Sequence, residues 1–236
     1  MIQPKIEVVF FDAAGTLFDV RGSVGEIYAN LASQYGKNLS PEKLQQNFIH
    51  AFRQQPPMMF PPATPKNELP ALEFNWWRKL VLDVFSEFGD FPEFDHYFAE
   101  VFDFFRTTQA WTLVDDAQIT LQALQERGLK IGLISNFDTR VYDVLRAFEL
   151  LDYFDSIHIS SEVGAAKPAP QIFYAALTAH QIDAAQAMHI GDDVRDDVQG
   201  AEAVGMTGIL LNRRSNKGEQ VWAKQVSALR MILPYL

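Results

Sequence analysis

Residues 8–20 read "VVFFDAAGTLFDV". Four apolar residues in succession have the pattern of a strand buried on both faces, since a half-solvated strand would alternate. The run stops on the carboxylate of Asp12, and Gly15 follows closely enough to turn the chain sharply. A buried strand that ends on an acid and enters a glycine turn is what a parallel α/β sheet places at its reactive edge.

The rest of the chain supplies the sheet. "IEVVFF" (6–11) has counterparts in "KIGLIS" (130–135), "SIHIS" (156–160), "AMHI" (187–190) and "TGILL" (207–211). Helix-like stretches at 116–128 and 139–151 alternate with them. Apolar strands alternating with amphipathic helices predict an α/β fold with a Rossmann-like parallel sheet covered on both faces. Its crossovers should be right-handed.

More than a hundred residues separate the first strand from the second, far too many for a plain crossover. Within them, "FNWWRKLVLDVFSEF" (74–88) and "FDHYFAEVFDFFR" (94–106) are helical and aromatic in pattern. The reading is therefore a core of 1–20 and 112–236, with an inserted helical-bundle domain at 21–111. "PPMMFPPATPKNELP" (56–70) is too rich in proline to be helix throughout. It reads as a stiff loop between helices, or as a segment bringing Met58, Met59 and Phe60 over a substrate. After residue 211 a last loop, helix and tail are expected, with Arg213 and Arg214 in a solvated turn.

Composition narrows the classes. The 236 residues include no cysteine, which excludes disulfides, thiolate metal sites and cysteine nucleophiles. A net charge of -10 disfavours nucleic acid or anionic membrane as main partners. The chain shows no basic-then-apolar leader and no apolar run near membrane length, so a cytoplasmic protein is expected, as a monomer or weak homodimer.

Four groups of polar residues stand at the ends of predicted elements: Asp12 with Gly15 and Thr16, Ser135-Asn136, Lys167 ahead of a helix, and the cluster Asp192, Asp193, Asp196 and Asp197. Each alone has an ordinary reading, as a turn, a surface lysine or acids favoured by a helix N-terminus. Together and in this order they resemble the haloacid dehalogenase superfamily with a helical cap inserted after the first motif. The "FFDAAGTLF" loop is similar to that of the rhythmically-expressed-gene-2-like hydrolases. The likeness covers 6–20 and about 112–212, and the cap matches in position and helical character.

The resemblance implies a hydrolase, a magnesium-dependent phosphatase of small phosphorylated metabolites working through an aspartyl-phosphate on Asp12. It implies Mg2+ held by Asp12, the Ala14 carbonyl and Asp192, with Asp197 nearby or bound through water. Ser135 and Lys167 are then catalytic, and Gly15, Thr16 and Asn136 contact the substrate. Asp193 and Asp196 are supporting or solvated acids.

One position departs from the pattern. Most phosphatases of this superfamily carry a second aspartate two residues after the nucleophile, and here that residue is Ala14. Several readings stay open. The proton comes from water or from a residue such as His50 or Asp19, or the leaving group needs none. A cap lysine (Lys37, Lys43, Lys66 or Lys79) forms a Schiff base, as in phosphonoacetaldehyde hydrolases. "DAAGTLFDV" also resembles the "DAYGTLFDV" loop of L-2-haloacid dehalogenases, although clustered acids suit a halide site badly. A last reading is a phosphometabolite-binding protein with little turnover.

Overall fold

The computed structural model describes residues 5–213 and 224–236. β1 (Val8–Phe11) runs into the Asp12 turn and is followed by β2 (Phe18–Val20). Next come α1 (Val24–Gln34), α2 (Pro41–Gln54), α3 (Leu69–Phe85) and α4 (Phe94–Phe104). The chain returns through β3 (Trp111–Leu113), α5 (Ala117–Glu126), β4 (Lys130–Ser135), α6 (Arg140–Ala147) and β5 (Ser156–Ile159). It continues as α7 (Ser160–Val163), α8 (Pro170–His180), β6 (Ala187–Gly191), α9 (Gly200–Ala203), β7 (Thr207–Leu211) and β8 (Gln225–Val226).

Six strands form one parallel sheet in the order β5-β4-β1-β6-β7-β8. β1 is buried on both faces: Val9 and Phe11 join one apolar cluster, and Val8 and Phe10 join the other. That is why its sequence is continuously apolar. Phe10 lies opposite Gly132 of β4, where an added Cβ would stand 2.4 Å from the ring, so a glycine makes the room this aromatic needs.

The stems of the helical insertion are a small antiparallel ribbon, with Phe18 opposite Leu113 and Val20 opposite Trp111. Ser23 caps α1, accepting from the Glu26 amide, and Ser40 followed by Pro41 starts α2. The aromatic richness of this region is its own core. Phe85 and Tyr97 meet at 5.1 Å, and Phe74 and Phe98 at 4.7 Å, both edge-on.

Between α2 and α3 the proline-rich stretch is non-helical up to Leu69. It is anchored by the Trp76 indole, which donates to the Pro56 carbonyl at 3.1 Å. The C-terminus differs from expectation. β8 adds a short edge strand that was not expected, with Leu210 opposite Gln225, and the expected last helix is a 3-10 helix, Leu229–Tyr235. Pro234 within that segment lacks the amide and the room that an α-helical interior demands. No helix among the described residues is long and apolar enough to cross a membrane.

Candidate active site

The carboxyl ends of β4, β1 and β6 lie side by side and gather the predicted residues. Asp12 leaves β1 immediately after the ladder, its amide donating to the Ile190 carbonyl at 2.8 Å. Ser135 is the last residue of β4, and its hydroxyl hydrogen-bonds Asp12. Asp192 follows β6 directly.

Lys167 sits in the loop ahead of α8, and its side chain is only 3% exposed. Its Nζ donates to Asp12 Oδ1 at 2.6 Å and to Asp197 Oδ1 at 2.5 Å. Asn136 holds this lysine by its backbone: Asn136 Oδ1 accepts from the Lys167 amide at 2.7 Å, and Asn136 Nδ2 donates to its carbonyl at 3.0 Å.

Burial and charge set the protonation of the cluster. Burial is the largest influence on Asp12 and raises its pKa against the pull of Lys167. Burial also works against ionised Asp197, but Lys167 and His189 outweigh it and hold that carboxyl well below the usual range. Around Lys167 the two carboxylates overcome desolvation and keep the ammonium charged. Buried His189 has a lowered pKa and lies 3.0 Å from Asp197 Oδ1.

Asp192, although partly open to solvent, is raised to about 7 by desolvation and by the nearby charges of Asp12 and Asp197. It lies so close to the first loop that a Cβ on Gly15, whose φ is +94°, would stand 2.4 Å from its Oδ2. Only glycine accepts both that conformation and that neighbour.

Asp12, Asp192 and Asp197 offer oxygens that all lie within 4.8 Å of one another. A hard oxygen donor set crowded enough to raise one member to about 7 fits a divalent cation such as magnesium. Asp197 is already engaged by Lys167, His189 and the Asp193 amide, so Asp12 and Asp192 are the freer ligands. The Ala14 carbonyl accepts no backbone hydrogen bond among the described residues.

Other expectations sort less simply. The Gly15 and Thr16 amides are used inside the turn, donating to Phe18 and Ala13 carbonyls at 2.8 and 3.2 Å. Those of Ala13 and Ala14 donate to no carbonyl among the described residues. The Thr16 side chain is wholly buried, away from the cavity described below. Asp193 caps the turn after β6, accepting from the Arg195 and Asp196 amides at 2.8 and 2.7 Å.

Arg213 stands in an exposed turn, as expected, but its side chain is engaged there. It forms a two-pronged pair with Asp19 at 2.7 and 2.9 Å and donates to the Gly15 carbonyl, fastening the loop after Asp12. Arg214 lies outside the described residues.

Between this site and the helices is a cavity of about 980 Å³. Ala14, Asn136 and Lys167 line its core end, while Phe52, Trp76 and Trp77 are among its walls on the helical side. Met58 and Met59 also line it, but Phe60 does not. Neither His50, which bonds Gln54, nor Asp19 is among the lining residues. Lys167 is the only lysine among them, so none of the insertion's lysines reaches this space.

The residues 73 to 77 and 138 to 140 escaped sequence reasoning. Arg140 pairs with Asp138 at 2.7 and 2.9 Å, lies 4.0 Å from the Phe102 ring centroid and donates to the Phe102 carbonyl. From α3, the Trp77 indole donates to Asp138 at 2.6 Å, and Glu73 accepts from the Thr139 amide and hydroxyl at 3.0 and 2.5 Å. The insertion is thereby tied to the loop that leaves Ser135. "NFDTR" (136–140), with its acid and arginine, was the available signal, but nothing in the linear chain named the partners on α3.

A model of the haloacid dehalogenase-like hydrolases matches residues 6–205. The chain belongs to that family. Among its HAD-like relatives, "Haloacid dehalogenase-like hydrolase domain-containing protein 3" of Mus musculus is 32% identical over 209 residues, spanning 88% of this chain and 82% of its own. The "Rhythmically expressed gene 2 protein" of Drosophila melanogaster is 28% identical over 222 residues, spanning 89% and 85%. A solved HAD structure, the 2-haloacid dehalogenase from Pseudomonas syringae pv. Tomato DC3000, superposes with a TM-score of 0.65 at 25% identity, covering 98% of this chain and 97% of its own.

Proposed function

We propose that this HAD-like hydrolase is a magnesium-dependent phosphatase of small phosphorylated metabolites. The observation that carries the reading is the meeting of Asp12, Ser135 and Asp192, at the ends of three adjacent strands, with Lys167 from the loop ahead of α8. In this reading 1–20 and 112–236 form the catalytic body, and 21–111 is a cap that selects substrate. Its setting is the cytoplasm, where phosphorylated metabolites and magnesium are held.

Asp12 is the nucleophile, its carboxylate attacking phosphorus to form an aspartyl-phosphate that water then hydrolyses. Lys167 orients that carboxylate and opposes the rise that burial imposes on it, and its positive charge counters the charge on the phosphoryl oxygens. The Ser135 hydroxyl and the Ala13 and Ala14 amides are donors to the same oxygens. Bound to Asp12, Asp192 and the Ala14 carbonyl, with Asp197 in support, magnesium would shield the anionic phosphate from the anionic nucleophile. Asn136 positions Lys167 through its backbone.

A panel of phosphometabolites assayed with and without magnesium tests the reading. Phosphate release that EDTA abolishes and added magnesium restores is expected. Turnover indifferent to chelation would remove the metal assignment.

A second reading, 2-haloacid dehalogenation, is favoured by the apolar wall of the cavity and by the dehalogenase likeness. Against it stands the acid cluster, which opposes a departing halide. Chloride release from 2-chloropropionate without metal would favour it over the phosphatase.

A further inference from the structure

The phosphatase reading leaves the alcohol half of the ester open, and two unconnected features limit it. The first is chemical. Ala14 lines the core end of the cavity where a proton donor is expected, and it has none to give. Lys167 lines the same end but is bound by two carboxylates. Arg140 is paired with Asp138 and the Phe102 carbonyl, and a guanidinium does not give up its proton. An alkoxide leaving oxygen has a conjugate acid near that of water, about 15.7, whereas a phenol sits at about 10. With no proton from Ala14, Lys167 or Arg140, and unless Asp196, which also lines the cavity, supplies one, a phenolate departs and an alkoxide stalls.

The second feature is the shape and lining of the cavity. Its lining is mainly apolar, with Arg53 and Gln55 on the helical side and Lys167, Arg195 and Asp196 among the charged groups elsewhere. Phe52, Trp76 and Trp77 form an aromatic corner with ring centroids 5.0 to 6.3 Å apart. Met58, Met59 and Phe98 extend the apolar wall. At about 980 Å³ the space is near the top of the range for ligand sites, roughly 300–1,000 Å³. A polyol phosphate would set hydroxyls against the aromatic corner, whose ring faces offer them no good partners. A flat apolar group fills the space and stacks on its rings.

We propose that the substrate is an aryl phosphate, the phosphomonoester of a phenolic or naphtholic hydroxyl, with its ring held in the aromatic corner and its phosphate at Asp12. This rests on the phosphatase reading and assigns its substrate class. In the first step an Asp12 carboxylate oxygen bonds to phosphorus while the phosphorus–aryloxy bond breaks. The electron pair of that bond leaves on the phenolate, which takes its proton from solvent. Water then adds to the aspartyl-phosphate, frees inorganic phosphate and restores the Asp12 carboxylate. The sum is ester plus water giving phenol plus phosphate.

The test compares three phosphoryl compounds on the intact protein with magnesium: the esters 1-naphthyl phosphate and 1-naphthylmethyl phosphate, and the acyl phosphate acetyl phosphate. The first two share a ring system and differ in the leaving oxygen. The third has a good leaving group and no ring. The expected kcat/KM for 1-naphthyl phosphate exceeds that for the naphthylmethyl ester by about 10²-fold or more, the scale of a missing general acid. It exceeds that for acetyl phosphate by about tenfold, mainly through KM. Phe52, on the exposed rim, gives a variant that disturbs little of the core. Phe52→Ser should shrink the preference for 1-naphthyl over acetyl phosphate severalfold.

Equal rates for the naphthyl and naphthylmethyl esters would overturn the proposal, because a group such as Asp196 or Tyr28 would then be protonating the leaving oxygen. Acetyl phosphate at or above 1-naphthyl phosphate would overturn it through the cavity argument, with the phosphatase reading intact. If none of the three is hydrolysed, the phosphatase reading itself fails and the substrate class falls with it.

Discussion

The Lys167 ammonium lies 2.6 Å from Asp12 Oδ1, two charges from distant parts of the chain sealed together beneath the cavity. A second contact to Asp197 makes the lysine the positive charge shared by two buried acids. Removing one partner of such a group costs about 3–5 kcal/mol, because the remaining charge has no water to turn to. Lys167→Met should therefore lower stability by that amount in chemical denaturation near neutral pH.

The sign with pH follows from the same pair. In the native protein Asp197 is held below its ordinary value, so its contribution is present above about 3.8 and lost as pH falls through its folded value. In Lys167→Met the buried acids are raised instead, so their contribution is present at low pH and disappears as pH rises. The variant's deficit should be smaller near pH 5 than near pH 8 in thermal melts. A deficit independent of pH would mean that the lysine is not the counter-charge described here.

Asp192 gives a second pH signature. Raised to about 7 by burial and by its acidic neighbours, it favours the metal-free fold below its unfolded value near 3.8 and loses that contribution as pH climbs through about 7. A cation needs the ionised form, so protons compete with it below about 7. Magnesium affinity, read by calorimetry or by the melting shift on adding MgCl2, should weaken about tenfold per pH unit below 7 and level off above it. The same shift near pH 5.5 and near pH 8.5 would argue that Asp192 is not a ligand.

The tie between α3 and the loop after Ser135 predicts a coupling of stability to turnover. Trp77→Phe keeps a ring near Arg140 but deletes the indole donor to buried Asp138. Leaving that acceptor short of a partner should cost about 1–3 kcal/mol. Because Asp138 also receives Arg140 and the loop leads back to Ser135, kcat should fall with it. Hydrogen exchange at 136–140 is the direct measurement, and unchanged protection there would show that the tie does not order the loop.

Much of this architecture is written locally. Continuous apolar runs such as 130–135 and 207–211 can only be strands buried on both faces, and both appear with those bounds. Asp12, Ser135 and Asp192 are legible because each ends or follows such an element, and Lys167 because it stands just ahead of a helix. Contacts between the halves are not. Glu73 meeting Thr139, Trp77 meeting Asp138 and Arg213 reaching Asp19 join residues 61 to 194 positions apart, and their types fit a solvated surface equally well. The β8 strand was equally hidden, being two residues long and defined only by its neighbour β7.

Ala14 offers the sharpest intervention, since it lines the cavity two residues past Asp12. An aspartate there would extend toward the leaving oxygen from a site already crowded with acids, and that crowding would raise its pKa. A raised carboxyl is protonated often enough to act as a general acid, which is worth about 10²–10⁴ in rate. Ala14→Asp should therefore speed hydrolysis of alkyl phosphates such as 1-naphthylmethyl phosphate by about 10²-fold while leaving the aryl ester much less changed, because a phenolate gains little from a proton. Steady-state kinetics with both esters reads this out, with circular dichroism to verify folding. An equal gain on both would show that the new acid helps the water attack on the aspartyl-phosphate and not the departure of the alcohol, and no gain on either would show that proton transfer does not limit this site.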